Sequence, residues 1–247
     1  MAGHSKWNNI KHRKGAQDKK KGKIFTKLGR ELTMAAKEGG GDIEFNPRLR
    51  LAVEKAKAAN MPKENLERAV KKGTGELEGS EFFEIRYEGY GPEGTAFIVD
   101  AVTDNKNRTA GEVRAAFTKK NGNLGTDGAV SWMFKKKGVI SVPVGNLDFD
   151  EVMLDCLEVG AEDLIMEDEF FQIMTEPNKL GEVLKLLEEN YKCEEAEVAM
   201  IPDNKVMITD LEMAKKVLIL FDALDDLDDV QEVYSNFEIA DEILEQM

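Results

Sequence analysis

GVISVP (138–143), DFDEVMLDCLEV (148–159), EDLIME (162–167), FFQIMT (170–175), NKLGEVLKLLEEN (178–190) and EEAEVAMI (194–201) follow one another in the middle of the chain. Read in turn they give strand, helix, strand, strand, helix, strand. That is the β-α-β-β-α-β order of a ferredoxin-like split βαβ unit, complete in itself. Outward from it the flanks read as fragments. Before it, residues 82–88 and 95–103 are strands rich in Phe, Ile, Val and Tyr, joined by the turn Gly89–Gly94. A helix over 109–120, with Val113, Ala116 and Phe117 on one face, a glycine-rich loop over 121–128 and a strand over 129–134 follow. After it come an apolar-faced helix over 210–224 and a strand over 230–239. The two flanks together complete a second α+β unit. The expected fold class is therefore α+β and multidomain: a helical N-terminal domain (1–79), a discontinuous α+β domain (80–137 and 203–247), and an acidic ferredoxin-like domain (138–202) inserted in it.

The N-terminal part has a different period. Ile24, Phe25, Leu28, Leu32 and Ala35 recur at helical spacing until Gly39-Gly40-Gly41. Asn46-Pro47 is an N-cap and first-turn pair for a second helix, with Leu49, Ala52, Val53, Ala56 and Ala59 on one face. Pro62 opens a third, with Leu66, Ala69 and Val70 inward and Gly73 as its stop. Residues 75–80 read as a linker.

Charge follows the same division. The 247 residues hold 34 Lys+Arg and 48 Asp+Glu, a formal net charge of −14, with a sequence pI near 4.8. Taken whole, that balance argues against a nucleic-acid partner. Residues 1–73, however, hold 19 Lys/Arg against 8 Asp/Glu, a net of +11, and the remainder carries −25. Such asymmetry marks a phosphate-facing segment joined to an acidic body. The densest stretch is residues 1–30, where Lys6, Lys11, Arg13, Lys14, Lys19, Lys20, Lys21, Lys23, Lys27 and Arg30 face a single acid, Asp18. Trp7 lies among them, suited equally to stacking on a base and to packing. Arg48 and Arg50 on the second helix suit phosphates better than base edges. Lys106 and Arg108 sit in a polar loop at a helix start, capped by Thr109 or Asn107. Cations there oppose the dipole, which hints at an anionic partner.

No set of residues reads as catalytic. GYGPEG (89–94) fits G-x-G-x-x-G in letters, but a strand follows it, so there is no helix N-terminus to hold a pyrophosphate. His4 and His12 lack further ligands, so no metal and no cofactor are expected. Cys156 and Cys193 match no redox or metal spacing and read as reduced thiols. The acids Asp222, Asp225, Asp226, Asp228 and Asp229 lack calcium-loop spacing. They oppose the dipole at a helix C-terminus, which motivates the hypothesis that they face the basic arm and compete with nucleic acid for it. No apolar run reaches membrane-spanning length, so no membrane partner is expected and the cytoplasm is the expected address.

Several long motifs then resemble the YebC/PmpR family: MAGHSKW (1–7), IKHRK (10–14), GKIFTK (22–27), NPRLR (46–50), NMP (60–62), YEGYGP (87–92), DNKNRT (104–109), GNLG (122–125) and DDVQEVY (228–234). The resemblance spans the chain, with Ile43 departing from a frequent proline. It implies a three-domain protein with a helical N-terminal domain and two α+β domains, one interrupting the other, and no established catalytic residues. It also implies a regulator of gene expression: a DNA-binding transcriptional regulator, or alternatively a ribosome-associated, RNA-binding translation factor relieving stalling at proline-rich stretches. The residues by themselves indicate a nucleic acid and leave DNA and ribosomal RNA open.

Overall fold

The structure is a computed structural model that describes residues 17–247 except Ser80 and Asp168. The chain falls into two compact units, Met1–Met133 with Asn204–Met247, and Phe134–Asp203.

The described residues of the first unit open with three helices, α1 (Gln17–Gly39), α2 (Pro47–Ala58) and α3 (Lys63–Gly73). Their small apolar faces meet in one core: Leu32, Ala35 and Ala36 of α1, Leu49, Ala52, Val53 and Ala56 of α2, and Ala69 of α3. Alanines let the axes approach closely. At Gly73 a side chain would strike the Thr33 carbonyl and the Ala36 methyl, so α3 ends where it touches α1. Gly40, at φ +82, takes the left-handed turn that stops α1.

An antiparallel sheet follows, built from β1 (Phe83–Tyr90), β2 (Ala96–Thr103), β3 (Asn123–Leu124) and β9 (Val230–Ser235) in the order β3-β1-β2-β9. Two helices cover one face, α4 (Lys106–Lys119) and α7 (Leu211–Asp225). Phe97, Val99 and Ala101 of β2 point alternately into a core with Val113 and Phe117 of α4, and Val217, Leu220, Phe221 and Leu224 of α7. Asn236 interrupts the last strand. Its Oδ1 accepts from the Ala96 amide at 2.7 Å. The chain resumes as β10 (Phe237–Ile239), parallel to β8 (Val206–Ile208), before the short helix α8 (Asp241–Leu244).

The second unit pairs β4 (Phe134–Pro143), β5 (Asp163–Met166), β6 (Phe170–Thr175) and β7 (Glu195–Pro202) in the order β5-β6-β4-β7, all antiparallel. The helices α5 (Phe149–Glu158) and α6 (Leu180–Leu187) lie between β4 and β5 and between β6 and β7. This is the split βαβ arrangement read from residues 138–201. Ile140, Phe171, Ile173, Leu180 and Leu187 are fully buried in it. Asp148 caps α5, its carboxylate accepting from the Asp150 and Glu151 amides. Cys156 and Cys193 are free thiols, both pushed up to about 11 chiefly by burial.

Three local expectations change. Residues 129–133 are not strand, and of the expected 129–134 only Phe134 joins a ladder, as the start of β4: the buried Glu88 carboxylate accepts from the amides of Gly128, Val130 and Ser131 at 3.1, 2.7 and 2.8 Å, which curls the segment before it. α4 begins at Lys106, and its N-cap is Asn105, whose side chain accepts from the Arg108 amide at 3.1 Å. The strand β8 is additional. Among the described residues no helix is long and apolar enough to cross a membrane.

Candidate nucleic-acid interface

Lys23, Lys27 and Arg30 recur at i, i+4 and i+7 on α1, which aligns them along one helix face. That face meets the C-terminal end of α7. α7 has no basic residue in its last turn, so its terminal carbonyls and acids need donors from elsewhere. α1 supplies them. Lys27 Nζ reaches the Asp225 carboxylate at 2.9 Å and its carbonyl at 3.0 Å. Lys23 Nζ donates to the Asp226 carbonyl at 2.8 Å. Arg30 donates to the Asp228 carbonyl and pairs with Asp229 Oδ1 at 2.8 Å.

Asp229 is the centre of this contact. It is 2% exposed. Its second oxygen accepts from Thr109 Oγ1 at 2.6 Å, Thr103 Oγ1 at 3.0 Å and Arg108 at 2.7 Å. Burial raises its pKa, but these hydrogen bonds and the charge of Arg30 outweigh it and hold the carboxyl below its usual range. Arg108 also reaches Asp104 at 2.9 Å. The two carboxylates raise its pKa, the larger cause being the hydrogen bond to Asp229. One buried carboxylate thus joins α1, the start of α4 and the loop before β9.

Arg48 sits among acids. Its Nε and one terminal nitrogen bind Glu31 at 2.8 and 2.9 Å, another reaches Glu38 at 2.6 Å, and it also contacts Glu84. Arg50 donates to the carbonyls of Ile43 and Glu44 at 3.1 and 2.9 Å, bracing the loop before α2. Lys106 Nζ lies 4.2 Å from the centre of the Phe83 ring.

The fifteen residues read from the sequence as nucleic-acid contacts therefore divide. Lys6, Trp7, Lys11, Arg13 and Lys14 lie outside the described residues. Lys19, Lys20 and Lys21 lie on the backbone of α1, with side chains outside the described atoms. Lys23, Lys27, Arg30 and Arg108 converge on the acidic stretch Asp225–Asp229, with Arg108 also on Asp104. Arg48, Arg50 and Lys106 engage other protein groups. The contacts read from the sequence did not include Arg68 and Lys72 of α3. Their i, i+4 spacing places both on one helix face, a signal present in the sequence. Among the described residues no group of three or more His, Cys, Asp or Glu is arranged to hold a metal ion.

The chain matches two family models: residues 5–76 the TACO1/YebC protein N-terminal domain, and residues 82–237 the TACO1/YebC second and third domain. It is 68% identical over 248 residues to a probable transcriptional regulatory protein of Fusobacterium nucleatum, with both chains covered in full. A probable transcriptional regulatory protein of Persephonella marina is 57% identical over 249 residues, again with full coverage of both. The crystal structure of a conserved hypothetical protein from Aquifex aeolicus superposes with a TM-score of 0.84 at 51% identity, covering 92% of this chain and 94% of that one. With a basic helical segment, a sheet-bearing unit and full-length relatives in agreement, the chain belongs to the TACO1/YebC family.

Proposed function

We propose that this chain is a non-enzymatic, nucleic-acid-binding regulator of gene expression that binds DNA and acts on transcription in the cytoplasm. The observation that carries the reading is the segregation of charge: +11 over residues 1–73 against −25 over the remainder. A phosphate backbone is attracted by the first and repelled by the second, so the helical end meets the nucleic acid. The names of the relatives favour transcription as the process. Residues 1–79 act in this reading as the binding domain, and the α+β domains 80–137 with 203–247, and 138–202, as the acidic body. Lys6, Trp7, Lys11, Arg13, Lys14, Lys19, Lys20 and Lys21 supply the first contacts. A phosphate reaching Lys23, Lys27, Arg30, Arg48 or Arg108 displaces a protein carboxylate.

Ultraviolet crosslinking in cells, followed by sequencing of bound DNA and RNA, tests the proposal. Recovery of promoter DNA is expected. Recovery of ribosomal RNA alone overturns the DNA reading in favour of a ribosome-associated translation factor.

A further inference from the structure

A cleft of about 510 Å³ opens beside α1 and α3, closed on one side by Phe82. None of its lining residues is acidic, in a chain with 48 Asp and Glu. Three are cationic: Arg30 from α1, and Arg68 and Lys72 from α3. Arg30 is answered by Asp229. Arg68 and Lys72 are exposed and make no hydrogen bond or ion pair with any described residue. Two neighbouring cations without a counter-charge favour an anion, and the guanidinium fork matches phosphate geometry. The apolar walls are Phe25 and Phe82, and the Arg30 guanidinium lies 5.9 Å from the Phe82 ring centre. Gly29 also lines the cleft, and a Cβ there would meet no atom within 4 Å. The volume lies within the range of small-ligand pockets.

We propose that this cleft seats one unpaired nucleotide of a single-stranded nucleic acid, its phosphate held by Arg68 and Lys72 and its base laid against Phe82 and Phe25. The inference rests on the nucleic-acid reading above and names a site within it. A duplex keeps its bases stacked inside, whereas an aromatic-walled cleft takes a base that is splayed out.

Fluorescence anisotropy of the full chain tests it, with a labelled 12-nucleotide single-stranded RNA, the single-stranded DNA of the same sequence, and the corresponding duplex as probes. Gly29→Leu adds bulk to the lining of the cleft and leaves every charge in place. Arg68→Gln with Lys72→Gln removes the phosphate contacts. Each variant is expected to weaken single-strand binding by about tenfold or more, the scale of one lost stacking contact. The double variant is also expected to flatten the salt dependence by about 0.7 to 1.4 log units per log unit of salt, one or two phosphate contacts. Loss of RNA or of DNA binding supports the proposal equally, and the stronger probe names the source. Unchanged affinity in Gly29→Leu, or preference for the duplex, overturns the cleft while leaving nucleic-acid binding intact. Absence of binding to all three probes by the unaltered chain overturns both readings. Should Gly29→Leu fail to fold, photocrosslinking of the same oligonucleotides to the unaltered chain decides: adducts at Phe25 or Phe82 support the cleft, and adducts only elsewhere overturn it.

Discussion

Asn46 serves two helices at once. Its Oδ1 accepts from the Leu49 amide at 3.0 Å and caps α2, while its Nδ2 donates to the carbonyls of Ala35 and Gly40 at 2.7 and 2.8 Å and closes the end of α1. The side chain is 4% exposed, so water cannot replace it. Asn46→Ala is expected to destabilise the fold by about 2 to 3 kcal/mol, from one lost cap and the lost side-chain hydrogen bonds to the Ala35 and Gly40 carbonyls, as read by urea denaturation. Glu88 does comparable work at the 128–131 turn. Burial raises its pKa, but the amides of Val130, Ser131 and Gly128 outweigh that and lower it. A lowered folded-state pKa means that the carboxylate's contribution is complete above the ordinary range of about 4 to 4.5 and is lost as pH falls through the folded value. Asp229 follows the same sign. Stability is therefore expected to fall with acidification below about pH 4.5. The deficit of Glu88→Gln against the unaltered chain should shrink over the same interval, and an unchanging deficit between neutral and acid pH would contradict the assignment. The cap on α2 was visible beforehand in Asn46-Pro47; the second contact of Asn46 and the role of Glu88 were not. Asn46-Pro47 announces a helix start, but nothing near it says that its amide reaches back to Ala35. Glu88 reads as one acid among many, and the strand expected over 129–134 is absent before Phe134 because the partner of that segment is a carboxylate some forty residues earlier.

At the scale of elements, α1 is joined to α2 and α3 by an apolar core, whereas charge ties it to the end of α7. The Lys27–Asp225 pair is part-exposed, at 21% and 35%, so solvent screens it. A double-mutant cycle between Lys27→Ala and Asp225→Ala is expected to give a coupling under about 1 kcal/mol. Charge reversal should tell more. Lys27→Glu is expected to loosen the α1–α7 contact, and adding Asp225→Lys to restore it, as read by protection of α1 amides from hydrogen exchange. Failure of the second substitution to rescue the first would deny the pair a role. Gly22 is exposed on the same helix, with open space where a Cβ would stand. Gly22→Ala is expected to raise stability by about 0.5 to 1 kcal/mol through helix propensity, measured by thermal denaturation. The helices themselves were legible, because their apolar periodicity and stop residues are local. Their mutual approach was not, because Gly73 against Thr33 depends on two axes meeting.

For the whole molecule, the net charge of −14 is the sum of two opposed ends. Nucleic-acid affinity is expected to fall with salt at a log–log slope of about −0.7 to −0.9 per phosphate contacted. Replacing Lys19, Lys20, Lys21 and Lys23 with Ala should reduce that slope and weaken binding evenly across sequences. A salt-independent affinity would reject the charge argument, and a loss confined to one sequence would point to base readout.

Periodicity, caps and charge counts are properties of neighbours along the chain, so the sequence by itself determined the helical start, the β-α-β-β-α-β order of 138–201 and the basic-to-acidic division. Which cation meets which acid is settled by residues as far as 203 positions apart. Only the tertiary structure could decide that Lys23, Lys27 and Arg30 cap α7, that Asp229 gathers Arg30 and Arg108, and that Arg68 and Lys72 face an acid-free cleft. The physical reason is that an ion pair needs its two ends within about 4 Å, and chain closure, not local preference, sets that distance.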